Sequence, residues 1–222
     1  MLENRRRFFS HFNYDYRDIV SAIQVHGIDL AQFNEAHRSE GAMPGSAHQR
    51  CDALITTTPG LPLTAYSADC MLIYFTSEQK PLAALAHAGW RGTLGGLGAK
   101  VVRFLREQFG AEPGSLLVGL SPAICRICYR VDDKVAGQFR SAGWNGPAFM
   151  EPSEEGGWNL DLSAINAGQI LAAGVKEKNL VFNNWCTSCN PDLFYSYRRD
   201  KGITGRMIGF IAVSNHSGVG AT

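Results

Sequence analysis

Four short apolar segments follow one another between residues 53 and 86, and this order constrains the fold more than any other feature. Each has the length of a β-strand, and turn residues such as Pro59-Gly60 separate them. The predicted strands are residues 53–57, 63–67, 71–75 and 82–86. Strands that arrive in a run, without a helix after each one, are typical of α+β folds.

The remaining segments place helices beside such a sheet. Apolar residues recur at mostly three- and four-residue spacing over residues 93–109, which predicts an amphipathic helix followed by a capping Gly110. Shorter helices are predicted over residues 132–139 and 162–173, and further strands over residues 19–25, 28–33, 116–119, 180–182, 193–197 and 207–213. We therefore predict an α+β fold of mixed, largely antiparallel β-sheets flanked by helices, in a single domain of residues 1–222.

The charge balance argues against a nucleic-acid-binding protein. Lys and Arg number 21 and Asp and Glu number 20, and the one dense basic cluster, Arg5-Arg6-Arg7, is too short to grip a phosphate backbone. No apolar run approaches the roughly 20 residues of a membrane span. Residues 1–17 also lack the apolar core of a secretion signal. We expect a cytoplasmic protein that acts on small molecules, without a membrane or nucleic-acid partner.

Three segments place a strong metal ligand at or beside the end of an apolar run. The ligands are His26, Cys70 and His87. Strand ends converge on one rim of a sheet, and two imidazoles with a thiolate suit Zn²⁺ or copper rather than Mg²⁺ or Ca²⁺. Three protein ligands leave a fourth position open, as in catalytic zinc sites. Taken singly, such residues are more often buried thiols or hydrogen-bonded histidines, and their spacing is not a compact metal motif.

The glycine-rich segment from His87 to Gly92 leads into the predicted helix and suggests an anion site. Free N–H groups at a helix N-terminus attract anions, and Arg91 beside them can add a charge-assisted contact to phosphate. The alternative is a close-packed corner that needs the glycines for space. Aromatic residues near the C-terminus suit stacking on a planar base, and simple core packing is the alternative. Three arginines that can bind an anion follow them: Arg198, Arg199 and Arg206.

Four further cysteines form two C-x-x-C pairs, Cys125 with Cys128 and Cys186 with Cys189. Two such pairs can make a structural zinc site, but zinc ribbons separate them by about 15–20 residues. Here residues 129–185 intervene. The spacing favours thiols beside turns, and a zinc site is the alternative.

Five segments, in order, resemble the laccase-domain family of bacterial proteins. They are QVHG, DALITTTPGLPLTAYSADC, AHAGWRGTLGG, CYRV and CTSCNPDLFYSYRRDKGITGR, within residues 3–211. Members are also described as multicopper polyphenol oxidoreductases and as zinc-dependent purine nucleoside phosphorylases. The resemblance implies one laccase-domain-like unit with metal ligands at His26, Cys70 and His87. It further implies phosphorolysis of adenosine, inosine, guanosine and methylthioadenosine, with adenosine deamination alongside.

The resemblance also bears on residues around the ligands. Arg5 lies in an Asn-Arg element like that of the family and is a candidate contact for substrate or phosphate. Because the chain starts almost at this element, we expect it to be short at its N-terminus relative to the family. From their chemistry and position rather than from the resemblance, Asp69, beside Cys70, is the nearest candidate proton carrier, and Arg91 is the candidate catalytic arginine.

Three other functions remain open from the sequence. Six histidines without a His-x-His pair cannot ligate the four copper ions of a laccase, but copper in the three-ligand site would suit a weak polyphenol oxidoreductase. Cys70 and His87 also resemble the nucleophile and base of a cysteine-dependent hydrolase. The third function is a non-catalytic zinc-binding protein that uses the two C-x-x-C pairs.

Overall fold

The computed structural model describes residues 1–182 and 184–214, in which twelve strands form three sheets flanked by five α-helices. The helices are α1 (Leu2–Ser10), α2 (Trp90–Leu94), α3 (Leu97–Phe109), α4 (Asp133–Ser141) and α5 (Leu162–Ala172). The strands are β1 (Val20–Ser21), β2 (Leu30–Phe33), β3 (Ala53–Thr56), β4 (Leu63–Ser67), β5 (Met71–Ser77), β6 (Ala83–Ala88), β7 (Leu116–Leu120), β8 (Arg130–Val131), β9 (Met150–Pro152), β10 (Trp158–Leu160), β11 (Leu180–Phe182) and β12 (Met207–Ile211).

The central sheet has the strand order β11-β7-β5-β6-β3-β2. A second sheet has the order β1-β4-β12 and a third the order β8-β10-β9. Six of the nine pairings between these strands are antiparallel, and the parallel ones join β1 to β4, β2 to β3 and β7 to β11. The predicted α+β fold with mixed, largely antiparallel sheets is confirmed.

Both faces of the central sheet are buried, which explains why its strands are almost continuously apolar. On one face, Ile73 and Phe75 of β5 pack in a cluster that includes residues of α3 and α5. On the other, Leu72 and Leu85 pack with residues of the second sheet. Because side chains alternate along a strand, His87, two residues beyond Leu85 in β6, lies on the face toward the second sheet.

Three of the predicted elements are wrong in detail. Instead of one helix over residues 93–109, α2 and α3 are separated by a break at Gly95-Gly96. Gly96 has a φ of +71°, which no helical residue adopts, and a Cβ on Gly95 would lie 2.5 Å from Ile28 Cγ2. Residues 193–197 form turns and irregular structure rather than a strand. Of the strand predicted over residues 19–25, only β1 forms.

Helix α1 is an element that the sequence analysis did not predict. Its Phe9 is completely buried, and the ring packs 5.1 Å from that of Phe210 in β12.

The longest described helix, α3, has 13 residues, and no helix in residues 1–182 and 184–214 is long and apolar enough to cross a bilayer.

Candidate metal centre

His26, Cys70 and His87 lie together where the central sheet meets the second sheet. Cys70 directly precedes β5, and His87 is the last residue but one of β6. These strands are antiparallel neighbours with Leu72 opposite His87, so the start of one lies beside the end of the other. The ligand atoms of the three residues lie within 4.8 Å of one another. The two imidazole centroids are 4.8 Å apart, with the rings nearly perpendicular.

The chemistry of this donor set fits a metal ion of borderline softness. Two imidazole nitrogens and one sulfur are the ligands that Zn²⁺ and copper prefer, and hard ions such as Mg²⁺ prefer oxygen. His87 is buried and His26 is exposed, and all three residues line a cavity of about 600 Å³. A metal held by these three residues would therefore have an open coordination position toward that cavity.

Asp52 is a residue of this centre that the sequence analysis missed. It directly precedes β3, and its carbonyl accepts the backbone N–H of His87 at 2.7 Å across the β3–β6 ladder. Its fully buried carboxylate accepts His87 Nδ1–H at 2.9 Å. This contact leaves Nε2 of His87 for a metal, as in other carboxylate–histidine pairs at metal sites. A charged residue between the apolar Cys51 and Ala53 was the available signal.

The same carboxylate holds the segment that carries His26. The backbone N–H groups of Val25, His26 and Gly27 donate to the Asp52 oxygens at 3.2, 3.0 and 2.6 Å. His26 has a φ of +59°, a left-handed conformation that three converging N–H groups stabilise. One buried side chain therefore orients two of the three candidate ligands.

The electrostatics of the centre favour the charged forms of Asp52, His87 and Cys70. Burial opposes ionisation of Asp52, but its hydrogen bonds to His87 and to the N–H groups of Gly27 and His26 outweigh burial and keep its pKa below 3.8. Burial likewise opposes protonation of His87, yet hydrogen bonds to Asp52 and Cys70 raise its pKa to about 9. Burial disfavours the Cys70 thiolate, but hydrogen bonds with His26 and His87 lower its pKa to about 7. The sulfur is therefore readily available as a thiolate ligand.

The cavity beside these ligands combines aromatic rings and guanidinium groups. Trp90, Tyr129 and Tyr197 supply rings. The lining arginines are Arg91, Arg198 and Arg206. Arg91 lies 4.3 Å over the ring of Trp90, and Arg198 lies 4.9 Å over the ring of Tyr129. Such a lining can stack a planar heterocycle and bind an anion beside it.

Asp69 lines the cavity but is itself firmly held. Thr187 Oγ1–H donates to its Oδ1 at 2.6 Å, and the backbone N–H of Arg198 donates to its Oδ2 at 2.8 Å. Each carboxylate oxygen keeps a second lone-pair direction for another donor. Asp69 therefore ties the segment that contains Tyr197 and Arg198 to the residue preceding Cys70.

Arg5 is placed differently from the other candidate site residues. Its Nη1 donates to the carbonyl of Gly41 at 3.1 Å and to that of Ala42, and its guanidinium lies 5.2 Å from the ring of Tyr66. Tyr66 lines the cavity, whereas Arg5 is buried behind it. Arg199 also serves structure, because it donates to the carbonyls of Thr187 and Phe194.

The two C-x-x-C pairs form a second cluster, which the spacing did not favour. The sulfurs of Cys125, Cys128, Cys186 and Cys189 lie within 4.8 Å of one another. The spacing argued against a joint cluster, but the fold brings the four free thiols together beside their turns.

Comparison with known proteins finds a matching family and several similar proteins. The profile of a family described as multi-copper polyphenol oxidoreductase laccase matches residues 1–214. The chain is 37% identical to purine nucleoside phosphorylase YlmD of Geobacillus stearothermophilus, over 95% of this chain and 78% of that protein. It is 31% identical to adenosine deaminase RL5 of an unknown prokaryotic organism, over 90% of this chain and 76% of that protein. The crystal structure of YlmD from Geobacillus stearothermophilus matches with a TM-score of 0.91 and 36% identity, over 96% of this chain and 80% of that one.

Proposed function

This chain belongs to the multi-copper polyphenol oxidoreductase laccase family, as its resemblance to laccase-domain proteins predicts, and we propose that it is a zinc-dependent purine nucleoside phosphorylase. The observation that carries the proposal is the opening of the His26, Cys70 and His87 cluster onto a cavity lined by aromatic rings and arginines. The proposed substrates are adenosine, inosine, guanosine and methylthioadenosine, with adenosine deamination as a side activity. One relative is named a purine nucleoside phosphorylase and another an adenosine deaminase, which supports this assignment.

The cavity suits a purine nucleoside in size and lining. Its volume of about 600 Å³ lies within the range of small-molecule sites. We assign stacking of the purine to the rings of Trp90, Tyr129 and Tyr197. Base–aromatic stacking contributes about 1–3 kcal/mol per base and is tolerant of the base, which agrees with a broad choice of purine.

We assign the phosphate co-substrate to the arginines of the same cavity. In phosphorolysis a phosphate oxygen forms a bond to C1′ of the ribose, and the bond from C1′ to the purine nitrogen breaks with its electron pair on the purine. Arg91, Arg198 and Arg206 provide the positive charge that binds and orients phosphate. Asp69 is the proposed proton carrier for the leaving base. We propose that Arg5, which is buried beside Tyr66, stabilises the part of the cavity wall that Tyr66 forms.

His26, Cys70 and His87 are the proposed zinc ligands. The bound ion supplies Lewis-acid chemistry that polarises an oxygen of phosphate or of the nucleoside. Asp52 keeps His87 in the tautomer whose Nε2 is free to bind the metal.

The deciding experiment supplies zinc-loaded protein with inosine and phosphate and follows hypoxanthine and ribose-1-phosphate. We expect both products from the wild type and loss of turnover in Cys70→Ala. Cys51→Ala is the control for the loss of a thiol, because Cys51 is buried in an apolar cluster and belongs neither to the cavity lining nor to the ligand cluster. Equal rates for the wild type and Cys70→Ala would contradict a role of the metal site in turnover.

A cysteine-dependent hydrolase is the second candidate function. It is supported by the low pKa of Cys70, about 7, and by its hydrogen bond with His87. A hydrolase of this kind keeps its activity after treatment with a chelator, because the thiolate itself is the nucleophile. Turnover that disappears on chelation and returns with zinc would exclude it.

A further inference from the structure

The two C-x-x-C pairs lie far apart in the sequence but leave the same end of the central sheet. Cys125 and Cys128 follow β7, and Cys186 and Cys189 follow β11. These two strands are parallel neighbours, and their alignment continues as a bridge between Ala123 and Cys186. The fold therefore brings together two pairs that 57 residues, 129–185, separate in the sequence.

The geometry of the four sulfurs is that of ligands rather than of disulfides. All four cysteines are free, and the Sγ atoms of Cys128 and Cys189 are 3.4 Å apart, far beyond a sulfur–sulfur bond. All four sulfurs lie within 4.8 Å of one another. A tetrahedron with zinc–sulfur bonds of about 2.3 Å has edges of about 3.8 Å, so small adjustments suffice to close it.

We propose that Cys125, Cys128, Cys186 and Cys189 form a closed tetrathiolate site for one Zn²⁺, separate from the site of His26, Cys70 and His87. Four sulfur donors in a tetrahedral arrangement select zinc or iron, and zinc needs no redox partner. Binding converts four thiols to thiolates and releases up to four protons, which leaves the filled site with a charge of −2. Because no position remains open, the role of this zinc is structural.

The surroundings of the cluster suit that negative charge. The backbone N–H of Cys125 donates to the sulfur of Cys186 at 3.2 Å, as N–H groups do around metal thiolates. Arg198 Nη1 lies 3.5 Å from the carbonyl of Cys128, and Arg199 Nη1 lies 3.4 Å from that of Ser188. Cys189 is exposed, which gives the ion access from solvent.

A zinc ion at the four cysteines also fixes part of the cavity wall. The importance of that wall for turnover rests on the proposed function, whereas the four-cysteine site itself does not. Thr187, between the cysteines of the second pair, donates to Asp69 at 2.6 Å, and Tyr129, which lines the cavity, directly follows Cys128. A zinc ion that joins both pairs holds these residues in place. Thr187 and the four cysteines are thus positioning residues for the cavity wall.

Metal counting tests the site without any turnover. Protein produced with zinc and purified under reducing conditions is analysed by native mass spectrometry and elemental analysis. We expect two zinc ions per chain in the wild type and in the control Cys51→Ala. We expect one in Cys70→Ala and one in the double variant Cys125→Ser/Cys189→Ser. With Co²⁺ as the probe, the thiolate charge-transfer band persists in Cys70→Ala and falls sharply in the double variant.

Several outcomes would overturn the proposal. One zinc ion in the wild type and none in Cys70→Ala means that the four cysteines bind no metal. A zinc-free wild type whose mass is lower by two hydrogen atoms contains a disulfide instead of a zinc site, and iron in place of zinc refutes the choice of ion. If the double variant does not fold, the wild type and Cys70→Ala decide the question by themselves. None of these results depends on whether the protein is a phosphorylase.

Discussion

A single carboxylate, that of Asp52, supports two of the three candidate ligands. It accepts His87 Nδ1–H and the backbone N–H groups of the segment around His26. An asparagine keeps the shape but replaces one acceptor oxygen with an amide NH₂, which then faces donors. We expect Asp52→Asn to weaken zinc binding about 10–100-fold. We also expect it to lower the free energy of unfolding of the metal-free protein by about 1–3 kcal/mol.

Competition with a chromophoric chelator measures the first effect, and urea unfolding measures the second. Asp132→Asn is the matched control, because Asp132 caps α4 through its side chain and asparagine caps a helix equally well. Zinc affinity in Asp52→Asn equal to that of the wild type would contradict the role of Asp52.

The stabilisation by Asp52 also depends on pH with a definite sign. Folding lowers the pKa of this carboxyl below its ordinary value of 3.8. Its contribution is therefore fully present above that value and is lost as the pH falls through the lower pKa of the folded state. The difference in unfolding free energy between the wild type and Asp52→Asn should shrink on acidification, whereas the difference for Asp132→Asn should stay small throughout.

The candidate ligands could be predicted at the residue scale, but Asp52 could not. His26, Cys70 and His87 have a chemistry that is recognisable wherever they occur, and each lies at or near the end of an apolar segment. Asp52 matters through its position opposite His87 in the β3–β6 ladder and through the N–H groups around His26 that its carboxylate accepts. Strand register of this kind depends on contacts between distant segments, which a single sequence does not contain.

At the scale of elements, the turn between β6 and α2 brings backbone unusually close to the candidate ligands. A Cβ on Gly89 would lie 3.1 Å from the sulfur of Cys70 and 3.2 Å from Cδ2 of His26. We expect Gly89→Ala to displace both ligands, to weaken zinc binding, and to destabilise the protein by about 1–3 kcal/mol through overpacking. Calorimetric zinc titration and urea unfolding measure the two effects.

Gly137→Ala is the control for this substitution. Gly137 lies inside α4, and apart from the backbone of that helix and its chain neighbours the nearest heavy atom to its added Cβ is 3.9 Å away. Alanine there should leave zinc binding unchanged and stabilise the helix by about 0.5–1 kcal/mol. If both alanine variants bind zinc like the wild type, the close approach at Gly89 does not matter for the site.

Elements with a clear apolar period could be predicted from the sequence. Segments whose backbone groups bind side chains instead of a neighbouring strand could not. The alternating aromatic residues of 193–197 suggested a strand, but Arg199 donates to the carbonyl of Phe194 and Asp200 accepts the N–H of Ser196. Side chains therefore satisfy backbone groups that a neighbouring strand would otherwise bind. The predicted helix over residues 93–109 failed only at Gly95-Gly96, where tertiary contact with Ile28 and a positive φ prevail over the apolar period.

At the scale of the whole molecule, strand order decides which cysteines meet. The sequence spacing argued against a joint site for the two C-x-x-C pairs, and the parallel pairing of β7 with β11 reverses that conclusion. In the same way, the adjacency of β5 and β6 joins Cys70 to His87. Both clusters are consequences of topology, which composition and periodicity do not determine.

Zinc should accordingly stabilise the entire fold through the open site. An ion that binds only the folded state adds about 2.7 kcal/mol when its free concentration is 100 times its Kd. For a chain of this length that corresponds to a rise in Tm of about 5–10 °C. We expect differential scanning calorimetry to show this rise as free zinc passes through the range that fills the open site. Cys70→Ala should keep only the increment that belongs to the four-cysteine cluster, since it lacks the thiolate of the open site. Equal increments in both proteins would mean that His26, Cys70 and His87 contribute no zinc binding to the stability of the fold.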